Sequence, residues 1–267
     1  MPELVIPSRF CGPPASGNGG YVSGRVAGYL DGPVTVTLRR PVPLAVPMTV
    51  ELGKDGSLRV HHDRALIAEA ALSAGRLPPP IPGPVSMAEA HAAAGRARYF
   101  ADPVYLTCFG CGTSRQPGDG LRIFPGAVAS RDLWAAPWTP HPSVSDDSGR
   151  VRPEVVWAAL DCPSGIAAAE AASLGQDTAI LLGQMTADLV APPAAGDPCR
   201  VIAWLAGRDG RKLTAGSALI GRHGEVLATA STLWLTVPRP APAPAPASAP
   251  VTAAPVTAAA PAAGGAA

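Results

Sequence analysis

Two short stretches of this 267-residue chain combine residue types that carry chemistry. One is Val155-Val156-Trp157-Ala158-Ala159-Leu160-Asp161-Cys162. Its six apolar residues read as a buried helix, and a carboxylate continues it. Asp161 there either does acid–base or nucleophilic work, or caps a helix that begins at Cys162 with Pro163 in its first turn. The other stretch is Cys108-Phe109-Gly110-Cys111, which has the spacing of half a zinc site. Such a site needs two further ligands, usually a second Cys or His pair. No second CxxC follows and His141 stands alone, so the expectation is that there is no metal site. Cys162 has no histidine near it in sequence and is not read as a nucleophile.

Elements must position these groups. The chain is 47% hydrophobic and 15% charged, with a formal net charge of +1. That supports a real core and argues against a nucleic-acid surface, which would show clustered Lys and Arg. No apolar run approaches a membrane span. The N-terminus MPELVIPSRF lacks the basic and apolar regions of a secretory signal. Its five cysteines are scattered and odd in number, so they read as reduced thiols in a cytoplasmic protein.

Two breaks divide the chain. Residues 76–84, RLPPPIPGP, read as a stiff linker. After Val237 a Pro/Ala-rich run reads as a disordered tail. Ser86, with Glu89 three residues on, starts a short helix. The expected organisation is a first half over 1–75, linker and short helix over 76–103, a second half over 104–237, and the tail over 238–267. Each half holds a helix followed by four strand-like runs. Residues 17–30 form a Gly-led helix before VTVTL, PMTVELG, SLRVHHD and ALIAEAALS. Residues 153–175 form a longer one before TAILLGQMTADLV, CRVIAWLAG, KLTAGSALIG and EVLATASTLWLTV. His61 and His62 alternate on a strand, which sends His61 to solvent and His62 to the core. Trp134 and Trp138 read as core strand residues.

The order CFGCG, GLRI, VVWAALD resembles the hot-dog fold acyl-CoA thioesterases of the phenylacetate-pathway type. There a Cys-Phe-x-Cys-Gly segment leads to a His-Gly-Gly helix start with an acid nine residues after the His. The resemblance implies an α+β fold, a tandem or double hot-dog. Two antiparallel sheets, each wrapped around a central helix, would pack sheet edge to sheet edge and join into a pseudo-dimer. The chain departs from the family pattern in both halves. The second half has Arg152-Pro153-Glu154 in place of His-Gly-Gly but keeps the acid, Asp161. The first half has Asn18-Gly19-Gly20, and the position of its acid is Ala27.

In family dimers one subunit gives the oxyanion donor and the other the acid. By that likeness the halves share one composite site, with the Gly19 N–H opposite Asp161. Pro153 has no N–H to donate. The substrate would be an acyl-CoA, with coenzyme A part of the substrate and no other cofactor. The acyl chain would lie in a tunnel between the two helices. Asn18 would orient or cap the helix start, with Gly20 beside it. Ser164, one turn beyond Asp161, would hold the attacking water or be a surface or back-bonded serine. Arg211 and Lys212, and equally Arg39 and Arg40, would meet coenzyme A phosphates or simply be solvated. Two rival readings remain: a hot-dog hydratase or dehydratase, which lacks its customary His here, and a non-catalytic acyl-CoA-binding or scaffold protein. Double hot-dog units often pair further, so a homo-oligomer is expected to be open to this chain.

Overall fold

A computed structural model describes residues 2–73 and 79–240. Its first half runs β1 (Glu3–Val5), α1 (Gly19–Ala27), β2 (Val34–Leu38), β3 (Pro47–Leu52), β4 (Leu58–His62) and β5 (Ala65–Leu72). Next come α2 (Met87–Ala94), β6 (Gly126–Ala127) and β7 (Trp134–Trp138). The second half follows with α3 (Pro153–Ala171), β8 (Thr178–Leu189), β9 (Cys199–Asp209), β10 (Lys212–Ile220) and β11 (Val226–Pro238). A helix followed by four antiparallel strands therefore occurs twice, as the sequence pattern predicts. The linker reading of 76–84 falls partly outside the described residues, and the tail reading of 238–267 almost wholly so.

The sheet departs from expectation. Instead of two sheets there is one of eleven strands, in the order β1-β3-β4-β5-β2-β8-β11-β10-β9-β7-β6. The seam is an antiparallel pairing of β2 with β8, from Val34 opposite Ala187 to Thr37 opposite Gln184. Taken alone, each half would leave one of these strands with a row of unpaired N–H and C=O groups, and joining the edges satisfies both rows. Hydroxyls reinforce the seam: Thr35 and Thr186 lie 2.8 Å apart, and the Gln184 amide donates to Thr37 at 2.9 Å. Between β4 and β5 the register shifts: Val60 faces Ala68 and His61 faces Leu66, so the extra residue, Ile67, lies in β5. Against the expected alternation, His61 and His62 both end half-buried, with His61 the more covered of the two. Trp134 and Trp138 are buried on β7, as expected.

Helix α2 starts with the reciprocal bonds of a capping box between Ser86 and Glu89. Helix α3 is apolar on all sides, the mark of a helix enclosed by other elements. Every residue from Val155 to Ala168 is buried. It runs unbroken through Pro163, so Asp161 lies mid-helix and caps nothing. Pro163 cannot donate to the carbonyl of Ala159. The neighbouring carbonyls of Leu160 and Asp161 accept from the Ser217 and Ser164 hydroxyls, at 2.8 and 2.7 Å.

Helices α1 and α3 pack antiparallel, backbone against backbone. A Cβ on Gly20 would lie 2.4 Å from Asp161 Cβ, and one on Gly24 would lie 2.5 Å from Glu154 Cα. Glycine costs a helix about 1 kcal/mol relative to alanine, and the close approach offsets that cost. The same contact corrects the expected acyl tunnel, because the helices leave no space between them at Gly20 and Gly24.

Gly24→Ala separates these two effects. Helix propensity alone would stabilise the variant. Overlap with the α3 backbone should instead destabilise it by about 1–3 kcal/mol, read as a lowered midpoint in urea unfolding. A raised midpoint would show that the helices do not touch there.

Candidate active site

Asn18 sits at the head of α1 in an extended conformation, and its side-chain oxygen accepts the Tyr21 N–H at 2.9 Å. This is an N-cap bond, and it leaves the other early amides of the helix without intrahelical partners. The Gly20 N–H is taken up by a carboxylate from the other half of the chain, Asp161 Oδ2, at 2.9 Å. Asn18 Nδ2 donates to the same oxygen at 3.0 Å. The Gly19 N–H has no acceptor among the described residues and is only half-buried. The sequence reading of Asn18 as either cap or orienting group resolves into both: its oxygen caps and its amide holds the acid.

Asp161 is 2% exposed. Its Oδ1 has no hydrogen-bond partner among the described residues. Burial pushes its pKa up to about 7, against the opposing pull of the Gly20 N–H and the Asn18 amide. The N-terminal end of α1 also favours a negative charge at this point. One oxygen is thus anchored and the other is free to act as an acceptor.

The Cys108–Gly112 stretch belongs to the second half by sequence but packs against the first. Phe109 donates its N–H to the Cys11 carbonyl at 2.7 Å. Its ring meets Phe10 and Tyr21 edge-on, and those two stack on each other at 3.8 Å between centroids. Cys108 and Cys111 are thereby set beside Cys162 of α3, with all three buried. Hydrogen bonds from Cys111 and Cys162 hold the Cys108 thiol well below its ordinary range. The sequence reading missed this group, because the third cysteine lies 51 residues beyond the CxxC pair and comes from another element.

Other expected residues lie apart from this centre. Ser164 is fully buried. Its hydroxyl donates to the Asp161 carbonyl and accepts from Thr232 Oγ1 and Trp234 Nε1, each at 3.0 Å, so it faces β11 and not the carboxylate. Arg211 and Lys212 are exposed at the turn between β9 and β10, where the Arg211 Nε donates to the Thr236 carbonyl. Nearby Arg208 bonds the Ala172 carbonyl, which puts this turn by the C-terminal end of α3, roughly 16 Å along the helix from Asp161. Arg39 forms an ion pair with Glu69 at 2.7 Å, and Arg40 is exposed. Two surface clefts, of about 200 and 280 Å³, open elsewhere, and neither is lined by Asn18, Gly19 or Asp161. The side chain of Leu182 covers Gly19, its Cδ2 lying 2.8 Å from where a Cβ would stand.

No protein-family model matches the sequence, and no curated protein sequence does. Solved structures do match. The tesB protein of Mycobacterium avium subspecies paratuberculosis is 15% identical, with 83% of this chain and 88% of that one covered and a TM-score of 0.52. A protein of Thermobifida fusca YX, provisionally named a thioesterase II, is 14% identical over 88% of this chain and 91% of that one, with a TM-score of 0.55. A thioesterase superfamily protein matches over 42% of this chain and 53% of its own, at 20% identity and a TM-score of 0.38. The first two matches run across both halves at once. At such identities the likeness is one of fold, and that fold is the tandem hot-dog.

Proposed function

We propose that this protein hydrolyses an acyl-CoA thioester at one composite site per chain. The observation that carries the proposal is a carboxylate from the second half held at the first helix of the other half, beside an unpaired backbone N–H. The names borne by proteins of the same fold support the reaction class. Asn18 and Gly20 act as positioning groups for Asp161.

Hydrolysis begins with the thioester carbonyl at the head of α1, where the Gly19 N–H donates to its oxygen. Negative charge develops on that oxygen in the transition state, and a preorganised donor there is worth about 3–4 kcal/mol. Oδ1 of Asp161 either takes a proton from water as the water attacks the carbonyl carbon, or attacks that carbon itself. In both cases the C–S bond breaks and the coenzyme A thiolate leaves, taking up a proton; after direct attack the acyl group is held as an anhydride on Asp161, and water hydrolyses it to the free acid and restores the carboxylate. Leu182 moves aside to admit the substrate. Arg211 and Lys212 supply positive charge for the phosphates at the far end of coenzyme A.

A second reading, acyl-CoA binding without turnover, is favoured by one observation: Asp161 is almost wholly covered. Release of free thiol from short, long and aromatic acyl-CoAs distinguishes the two. Saturable binding of an acyl-CoA with no thiol released from any member of the panel by folded protein would establish the binding reading.

Two substitutions probe the chemistry with little change in shape. Asp161→Asn keeps an oxygen to accept from Gly20 but removes the base or nucleophile. It should lower kcat by about 10²–10⁴, with the circular dichroism spectrum unchanged. Activity equal to wild type would rule Asp161 out of the reaction. Gly19→Pro removes the N–H at the first helical position, where proline is well tolerated. Its ring also displaces the Leu182 side chain, an effect that Gly19→Ala, which keeps the N–H, measures separately. Asn18 already has the extended backbone that precedes proline (φ −61°, ψ 128°). Here kcat should fall by about 10²–10³, and an unaltered kcat would mean that the oxyanion donor lies elsewhere.

A further inference from the structure

We propose that Cys108, Cys111 and Cys162 form a binding site for a single thiophilic divalent cation, of which Zn²⁺ is the representative. The three sulfurs all lie within 4.8 Å of one another, and those of Cys108 and Cys162 are 3.5 Å apart. Zinc–sulfur bonds of about 2.3 Å at tetrahedral angles put ligand sulfurs about 3.8 Å apart, so one ion fits among them with small adjustments. The CxxC pair supplies two ligands from one turn of chain, and α3 brings the third, which sequence spacing alone does not show.

The surroundings suit an ion as well as the spacing does. The cysteines are 3%, 6% and 8% exposed, and Tyr99, Phe100 and Tyr105 pack around them, limiting the access of water. Gly110, inside the CxxC turn, is required by the third sulfur: a Cβ there would lie 2.7 Å from Cys162 Sγ. Asn18 Nδ2 lies 3.6 Å from Cys162 Sγ and 3.8 Å from Cys108 Sγ. That is the outer N–H donor by which bound thiolates are commonly steadied.

Binding replaces the three thiol protons with the ion, leaves a complex of single negative charge, and keeps the fourth coordination position for a water. No oxidant or reductant is involved. The site does not depend on thioester hydrolysis. It would tie the Cys108–Cys111 turn to α3 and, through Asn18, to the head of α1.

The test titrates Co²⁺, the spectroscopic substitute for Zn²⁺, into the reduced full-length chain. One equivalent should produce a thiolate-to-cobalt charge-transfer band and the visible bands of tetrahedral cobalt. Added Zn²⁺ should abolish both and raise the thermal midpoint. Cys111→Ala and Cys162→Ala should each remove the bands, while Cys199→Ala, a thiol at the start of β9, should keep them. Absence of the bands in reduced, folded wild type would overturn the proposal, and so would their survival in Cys162→Ala. If the cluster variants do not fold, protection of three thiols from alkylation by Zn²⁺ in wild type decides the matter: full alkylation in its presence excludes the site.

Discussion

The structure turns on one contact, the bond between the Asp161 carboxylate and the head of α1. A buried carboxylate is expensive: the effective cost of removing such an ion from water is several kcal/mol. Here two N–H groups and the positive end of a helix stand against that cost. The arrangement requires the two helices to touch, which in turn requires glycine at positions 20 and 24. Helices held this close put their flanking sheets edge to edge, and the β2–β8 pairing follows. The carboxylate, the glycines and the seam are therefore mutually dependent.

On the proposed reading, fusing two hot-dog halves relieves each of the need to carry a complete site. In α1 the donors are kept and the acid position is Ala27, which is buried among apolar neighbours. In α3 the acid is kept and the helix begins with Pro153, which offers no N–H where Gly19 offers one. A second site of this kind would need a carboxylate at Ala27 and an N–H at position 153, and the chain has neither. Asymmetry of this sort is available only to a covalent pair, since identical subunits carry identical helices.

Most of the fold was legible in the sequence because its elements are locally determined. The Val-Thr alternation of β2, the capping box at Ser86 and Glu89, and the uninterrupted apolar run of α3 each declare a period or a boundary within a few residues. That the two halves meet sheet edge to sheet edge was legible, but that β2 and β8 are the strands that pair was not, since this depends on where whole sheets come to rest. The alternation at His61 and His62 failed because a strand's period does not say what covers a side chain near its end, as Glu51 stands beside His61. For the site, Asp161 and the Asn18-Gly19-Gly20 start stood out through resemblance to a family. Ser164 is back-bonded to Asp161, one of the readings its position allowed, but its Thr232 and Trp234 partners did not show, because one turn of spacing does not say which neighbour a hydroxyl meets on an enclosed helix. Cys162 was dismissed for want of a nearby histidine, when its partners were two cysteines on a different segment.

Asn18 explains why these features belong together. Its amide nitrogen has two hydrogens and lies within reach of three acceptors, the Asp161 oxygen and the sulfurs of Cys108 and Cys162. Its oxygen is already committed to the helix cap. Any change in charge at the sulfurs alters their competition for those two hydrogens, and with it the hold on Asp161. A family histidine in this place would offer one ring nitrogen as donor and the other as acceptor, and could carry a charge of its own. Asparagine offers a fixed donor pair and a fixed acceptor at every pH, which suits a position that must cap a helix, hold a carboxylate and face thiols at once. The departure from the family pattern is thus matched to the three cysteines around it.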